Sequence, residues 1–196
     1  LLAPFFLVSE TDSTKVDSIP RIETNRLQLR AIFPADAAEI LAIYSDPKIA
    51  CNYEFEPFEN IKQARDLIDK LTLWFQNDIA IRWALIEKAT HQLLGTCCFD
   101  TFRPQFHSCN LGYNVRSDQW GKGFATEAVS AIVDFAFTRG LHSPINRISA
   151  ITLPDNIGSE KVLSKIGFHK EGLMRDYGHW KNQYHDMNLF SKIKSK

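Results

Sequence analysis

Apolar residues along the 196-residue chain recur with two different periods, and the switches between them mark out the elements. Arg26-Leu27-Gln28-Leu29-Arg30 alternates polar and apolar side chains, the pattern of a half-buried first strand. Pro34 and Asp36 then open a short helix with Ile40, Leu41 and Tyr44 on one face, and Asp46-Pro47 ends it. A loop carrying Glu54, Glu56 and Glu59 follows. From Ile61 to Gln76 the residues Ala64, Leu67, Ile68, Leu71, Trp74 and Phe75 fall at helical spacing, which predicts an amphipathic helix. Two strand-like runs, Ile81–Glu87 and Leu93–Phe102, flank a polar turn at Thr90-His91, and a third spans Cys109–Val115.

The second half of the chain alternates strand and helix. Thr126–Arg139 reads as a helix whose apolar residues, among them Val129, Ile132 and Phe135, cover more than one face. Such a helix packs on a sheet beneath other elements, and Gly140 suits its left-handed stop. Asn146–Leu153 reads as a buried strand. Pro154-Asp155-Asn156 leads into a helix with Val162, Leu163 and Ile166 inward and Gly167 as its stop. Phe168–Leu173 and Tyr184–Phe190 are two last strands joined by a polar connection, and Trp74 and Trp83 are expected in the core. This order predicts one α/β (α+β) domain with a mixed sheet over residues 21–196, behind a flexible leader at 1–20.

Composition adds exclusions. Lysine plus arginine equals aspartate plus glutamate at 23 each, so the totals make no electrostatic case for nucleic-acid or membrane binding. The apolar opening Leu1–Val8 is far shorter than a membrane helix and lacks the basic start of a signal peptide. Cys51, Cys97, Cys98 and Cys109 have no CxxC spacing; they read as reduced, mostly buried thiols of a cytoplasmic protein, and no metal site is expected. The six histidines, including His142, have no HExxH spacing.

One stretch carries clear chemistry. The strand ending at Val115 runs into Gly121-Lys122-Gly123 and then a helix. Glycines allow the backbone a sharp turn, and a helix start adds unpaired N–H donors and a positive dipole end, which together bind phosphate. The stretch is neither GxxxxGK[ST] nor GxGxxG, since Thr126 stands three after Gly123. Taken alone it is also an ordinary strand-to-helix turn.

The run Trp120-Gly121-Lys122-Gly123-Phe124-Ala125-Thr126 resembles the acetyl-CoA loop of the GNAT N-acetyltransferase superfamily. Downstream, the segment from Asn156 through Ser159 and Lys165 to Phe168 is similar to that family's second motif. The start Glu23–Arg30 and the tail (Glu171–Asp176, Tyr184–Met187) resemble the ribosomal-protein branch, the RimJ/RimL type. The resemblance spans about residues 21–192 and implies a twisted, mostly antiparallel mixed sheet flanked by about four helices. Trp120 stands where the superfamily usually has glutamine or arginine, a substitution familiar in the RimJ/RimL branch. Asn110 stands where that branch often has glutamate, which puts any carboxylate base there in doubt.

The resemblance implies direct acetyl transfer from acetyl-CoA to an amine, by a monomer or homodimer. Backbone N–H groups from Lys122 to Thr126 would hold the pyrophosphate, Tyr113, Asn114 and Val115 would pair with pantetheine, and Asn156 and Lys165 would contact the cofactor. Ser159 would meet the leaving thiolate. Asn156 is equally a good helix N-cap and Ser159 an ordinary first-turn serine. Glu54, with Glu56 and Glu59, is the candidate base, or else part of a solvated acidic loop around which water serves. Trp180 is a candidate for the rim of the acceptor cleft. An α-amine of pKa about 7.7–8 is roughly 10–20% neutral at pH 7, against on the order of 0.04% for a lysine amine. A weak base therefore favours a peptide N-terminus, plausible for a ribosomal protein; a small amine and a non-catalytic acyl-CoA-binding module are the alternatives.

Overall fold

The computed structural model describes residues 18–141 and 143–195. The expected leader lies outside the described residues up to position 17, as does His142. Ile19 already packs against the core, and the Pro20 carbonyl accepts a 2.8 Å hydrogen bond from the indole of Trp83.

Among the described residues, eight strands form one sheet. They are β1 (Ile22–Glu23), β2 (Leu27–Arg30), β3 (Ala80–Glu87), β4 (Leu93–Arg103), β5 (Ser108–Val115), β6 (Arg147–Thr152), β7 (His169–Trp180) and β8 (Gln183–Ile193). Their spatial order is β1-β2-β3-β4-β5-β6-β8-β7. Every neighbouring pair is antiparallel except β5 with β6. A parallel pair needs a crossover, here the helix α4 (Phe124–Arg139). The other helices are α1 (Ala37–Tyr44), α2 (Pro47–Ala50), α3 (Ile61–Gln76) and α5 (Ile157–Lys165), five among the described residues where about four were expected. None is long and apolar enough to cross a membrane.

Strand alternation divides the core between the two faces of the sheet. Ile81, Trp83 and Leu85 of β3 join the cluster beneath α4 and α5, which includes Phe99, Leu111, Ile132 and Leu163. Ala84 and Ile86 face the other way, into the cluster of Ile40, Ile43, Tyr44, Ala64 and Ile68 from α1 and α3. Trp83 is fully buried, with Phe99 and Phe135 edge-on to it. Trp74, expected in the core, is only half-buried and lies under the Lys70 ammonium, 4.5 Å from its ring centre.

Three local expectations change. Asp46-Pro47 does not simply end a helix: the Asp46 carboxylate accepts from Lys48 N at 2.9 Å, and Pro47 takes the first position of α2. Aspartate at the cap and proline next are start signals. β6 is not buried throughout: Ile148 and Ala150 pack into the cluster under α4 and α5, while Ile151 points to the opposite face and is exposed. The polar connection after Leu173 belongs to β7, and the hairpin turns on Lys181 and Asn182, both left-handed at φ 50° and 58°. Two consecutive left-handed residues match the twist of a tight hairpin.

Candidate active site

β5 and β6 pair only from Ser108, Cys109 and Asn110 to Arg147, Ile148 and Ser149, although β5 continues to Val115 and β6 to Thr152. Beyond Asn110 the two strands part, and a cavity of about 290 Å³ fills the gap. Its strand wall is Tyr113, Asn114 and Val115; its loop wall is Gln119, Trp120, Gly121 and Gly123, continuing into Phe124, Ala125 and Thr126 of α4. The opposite wall is α5, with Asn156, Gly158, Ser159, Lys161, Val162 and Lys165. Ile49, Asn52 and Tyr53, from the end of α2 and just beyond, complete it.

On the strand wall, Arg116 N donates to Leu94 O at 2.8 Å, so the even-numbered residues of this segment point their backbone groups at β4. Alternation turns those of Tyr113 and Val115 into the gap. Both carbonyls already have a protein donor: the Tyr53 hydroxyl donates to Tyr113 O at 2.7 Å, and the Trp120 indole to Val115 O at 2.7 Å. The Asn114 side chain turns away from the gap, accepting from Thr96 N at 3.1 Å and donating to the Tyr44 hydroxyl at 3.1 Å. It fastens the wall from behind and is buried there.

The loop wall depends on two left-handed glycines, Gly121 at φ 78° and Gly123 at φ 83°. Side chains are strained in that region, and a Cβ at Gly121 would meet nothing, so backbone conformation selects glycine there. Gly123 is the N-cap of α4, and the first intrahelical bond runs from Glu127 N to Gly123 O. The N–H groups of Phe124, Ala125 and Thr126 therefore have no helical acceptor, and all three residues line the cavity. Lys122 does not line it: its ammonium donates to the Gln119 side chain at 2.9 Å.

On α5 the Asn156 side chain caps the helix, accepting from Ser159 N at 3.1 Å, and both residues line the cavity. The Tyr113 hydroxyl spans the gap to donate to Ser159 O at 3.1 Å. Burial pushes the Tyr113 phenol up to about 12 and Tyr53 higher still, so both are protonated donors at neutral pH. Burial likewise raises the Cys97, Cys98 and Cys109 thiols, which makes them poor nucleophiles.

Glu54, Glu56 and Glu59 are exposed, and among the described residues no carboxylate lines the cavity. Asn110 sits at the closed end of the gap, paired with Asp100 on one side and Ser149 on the other. Trp180 stacks on His185 with ring centres 3.9 Å apart and does not line the cavity, although Lys181 beside it donates to Ala50 O at 3.2 Å. Sequence reasoning missed Ile49, Asn52 and Tyr53; the signal available was the Asp46-Pro47 helix start, which leads the chain to the cavity mouth.

A model of the GNAT acetyltransferase domain matches residues 26–169. The chain belongs to this family of acetyltransferases. It is 36% identical over 171 residues to the uncharacterized N-acetyltransferase p20 of Bacillus licheniformis, covering 87% of this chain and 94% of that one. It is 28% identical over 177 residues to the ribosomal protein uS5-alanine N-acetyltransferase of Escherichia coli, covering 83% and 87%. Among solved structures, Mycobacterium smegmatis RimJ in complex with CoA-disulfide superposes with a TM-score of 0.80 at 20% identity, covering 89% and 88%, a likeness of fold.

Proposed function

We propose that this chain moves the acetyl group of acetyl-CoA directly to the α-amine of a protein N-terminus. The observation carrying the reading is the convergence of three backbone features on one gap: the parted edge of β5, the start of α4 and the start of α5. An acetyl-CoA there would lay its pyrophosphate against the free N–H groups of α4 and its amide-rich arm along Tyr113–Val115. The thioester would then fall near Ser159, where the Tyr113 hydroxyl spans the gap. A cavity-facing N–H of β5 would receive the charge that develops on the carbonyl oxygen. The amine nitrogen forms the new C–N bond, the C–S bond breaks, CoA leaves as a thiolate with Ser159 as its hydrogen-bond donor, and the amine proton passes to water.

The acceptor reading draws on the cavity wall formed by the described residues, which includes no carboxylate. With Glu54, Glu56 and Glu59 out in solvent, attraction of a cationic acceptor is the role left to them. A site without a strong base suits an amine already partly neutral at pH 7, as an α-amine is. The uS5-alanine acetyltransferase acts on such an amine, which supports the same choice. The test is CoA release from acetyl-CoA against N-terminal peptides, the same peptides with blocked α-amines, spermidine and an aminoglycoside. Turnover is expected only with open peptide N-termini; turnover only with the small amines would overturn the acceptor assignment, and tight CoA binding without turnover would overturn the catalytic one.

A further inference from the structure

Outside the cavity, the loop that carries Gly121 and Gly123 is gripped by one residue from the far end of the sheet. The Arg26 guanidinium donates to Lys122 O at 2.9 Å and to a Glu127 carboxylate oxygen at 2.7 Å, and its plane lies over the Phe124 ring, 4.3 Å from its centre. The backbone N–H of Arg26 donates to the other Glu127 oxygen at 2.8 Å, which also accepts from the Thr24 hydroxyl at 2.6 Å. Arg26 does not line the cavity.

Two physical consequences follow for an anion on the inner side. No described peptide bond is cis, so the C=O of Lys122 and the N–H of Gly123 point in opposite directions. A carbonyl held outward by Arg26 therefore turns the Gly123 N–H inward. Glycine accepts either sign of φ, so without that bond the Lys122–Gly123 peptide is free to flip and present its carbonyl oxygen to the anion instead. The second consequence is electrostatic. Glu127 lies in the first turn of α4, where its charge would oppose an anion at the same helix start. Arg26 pairs with it at 2.7 Å.

We infer that Arg26 is a positioning residue for phosphate binding, aiming the Gly123 N–H at the pyrophosphate and cancelling Glu127 beside it. This rests on the acyl-CoA reading of the cavity. Because only the phosphates feel it, the effect separates two donors, acetyl-CoA and acetyl-pantetheine, the same thioester arm without pyrophosphate.

The experiment measures CoA affinity by calorimetry, and kinetics with both donors, for the wild type, Arg26→Ala and Arg26→Lys, each checked by a thermal melt. Arg26→Ala is expected to raise the CoA Kd and the acetyl-CoA KM at least about 10-fold while kcat at saturation stays within about twofold. With acetyl-pantetheine its kcat/KM should match the wild type within about twofold. Arg26→Lys, which keeps the charge but not the fork that reaches Glu127 and Lys122 together, should fall between. Equal losses with both donors in a variant that melts normally, or no loss with acetyl-CoA, would overturn the inference. If Arg26→Ala does not fold, Arg26→Lys decides by the same comparison of donors. A wild-type chain that binds no CoA would overturn the reading beneath it, and the inference with it.

Discussion

The Tyr53 hydroxyl lies 2.7 Å from the carbonyl oxygen of Tyr113, sixty positions away in the chain, and ties the segment after α2 to the strand wall of the cavity. Burial holds that phenol protonated, so it acts as a donor and not as a base. Tyr53→Phe removes one hydrogen bond worth about 1 kcal/mol net, a factor of about five. The acetyl-CoA KM should rise by roughly that factor, with no change in the shape of the pH–rate profile between pH 6 and 9. Loss of an ionisation from that profile would make Tyr53 an acid or base.

Gly123 combines a left-handed φ of 83° with a place in the cavity wall. Asparagine tolerates that conformation better than most residues, and aspartate matches its shape but adds a charge. Binding of CoA should fall with Gly123→Asn and be at least about 10-fold weaker again with Gly123→Asp. A Cβ at position 123 would lie 3.4 Å from the Arg26 guanidinium, so equal affinities, measured by calorimetry, would mean that Arg26 takes up the added charge or that no anion sits at this loop.

Gly95 is held to glycine by backbone, not by φ. A Cβ there would lie 2.1 Å from Asn114 O and 2.8 Å from Val115 Cα, atoms that move only if β4 and β5 separate. Gly95→Ala should cost about 3 kcal/mol, the upper range for overpacking. For a domain of this size that lowers Tm by roughly 6–12 °C. A melt within about 2 °C of wild type would show that the two strands have room this geometry denies.

Ser159 faces the cavity at the first turn of α5. A thiol of pKa about 8.5 leaves tolerably well without an acid. Ser159→Ala should therefore lower kcat about 10-fold and leave the acetyl-CoA KM nearly unchanged, since Asn156 accepts from the backbone N of position 159 in either case. A loss of 1,000-fold or more in steady-state assays would require a larger role than a hydrogen bond to sulfur.

Arg147 grips Glu171 through two hydrogen bonds, of 2.9 and 2.5 Å, and the Ser191 hydroxyl adds a third. Together they lower the Glu171 pKa to about 2. A depressed folded-state pKa adds stability above the ordinary carboxylate range, and that stability is lost as the pH falls through about 2. Glu171→Gln should thus destabilise the protein at pH 7, and the deficit should shrink as the pH falls towards 2. The pair is partly exposed, so the loss stays below about 1 kcal/mol and diminishes in high salt. Denaturant melts at pH 7 and pH 3 compare the two; a constant deficit would assign it to packing.

The sequence made local features legible. Helix α3 has the bounds its spacing predicts, Ile61–Gln76, because an amphipathic stripe and an Asn60 cap act within one stretch of chain. The loop and α5 walls were readable for the same reason, since glycines, caps and a helix start lie close together. The strands β7 and β8 run longer than their apolar cores suggest, because β7 is exposed along most of its length and need not alternate, and the exposed first residues of β8 extend the hairpin with it. Tyr53 and Arg26 were out of reach in a different way. Their partners lie 60, 96 and 101 positions away, and only strand order brings them together. Glu54 stood out in the sequence as a carboxylate in the right loop, yet the side chain that reaches the cavity wall from there is its neighbour Tyr53.

The parallel pairing of β5 with β6 determines more than a gap. Two parallel strands end at the same edge, so the helix that follows each of them must begin there too, whatever side chains they carry. In the acetyl-CoA reading proposed above, the frame for the donor is thereby laid down by chain connectivity and main-chain donors, and the side chains of Arg26, Tyr53 and Trp120 hold that frame in place.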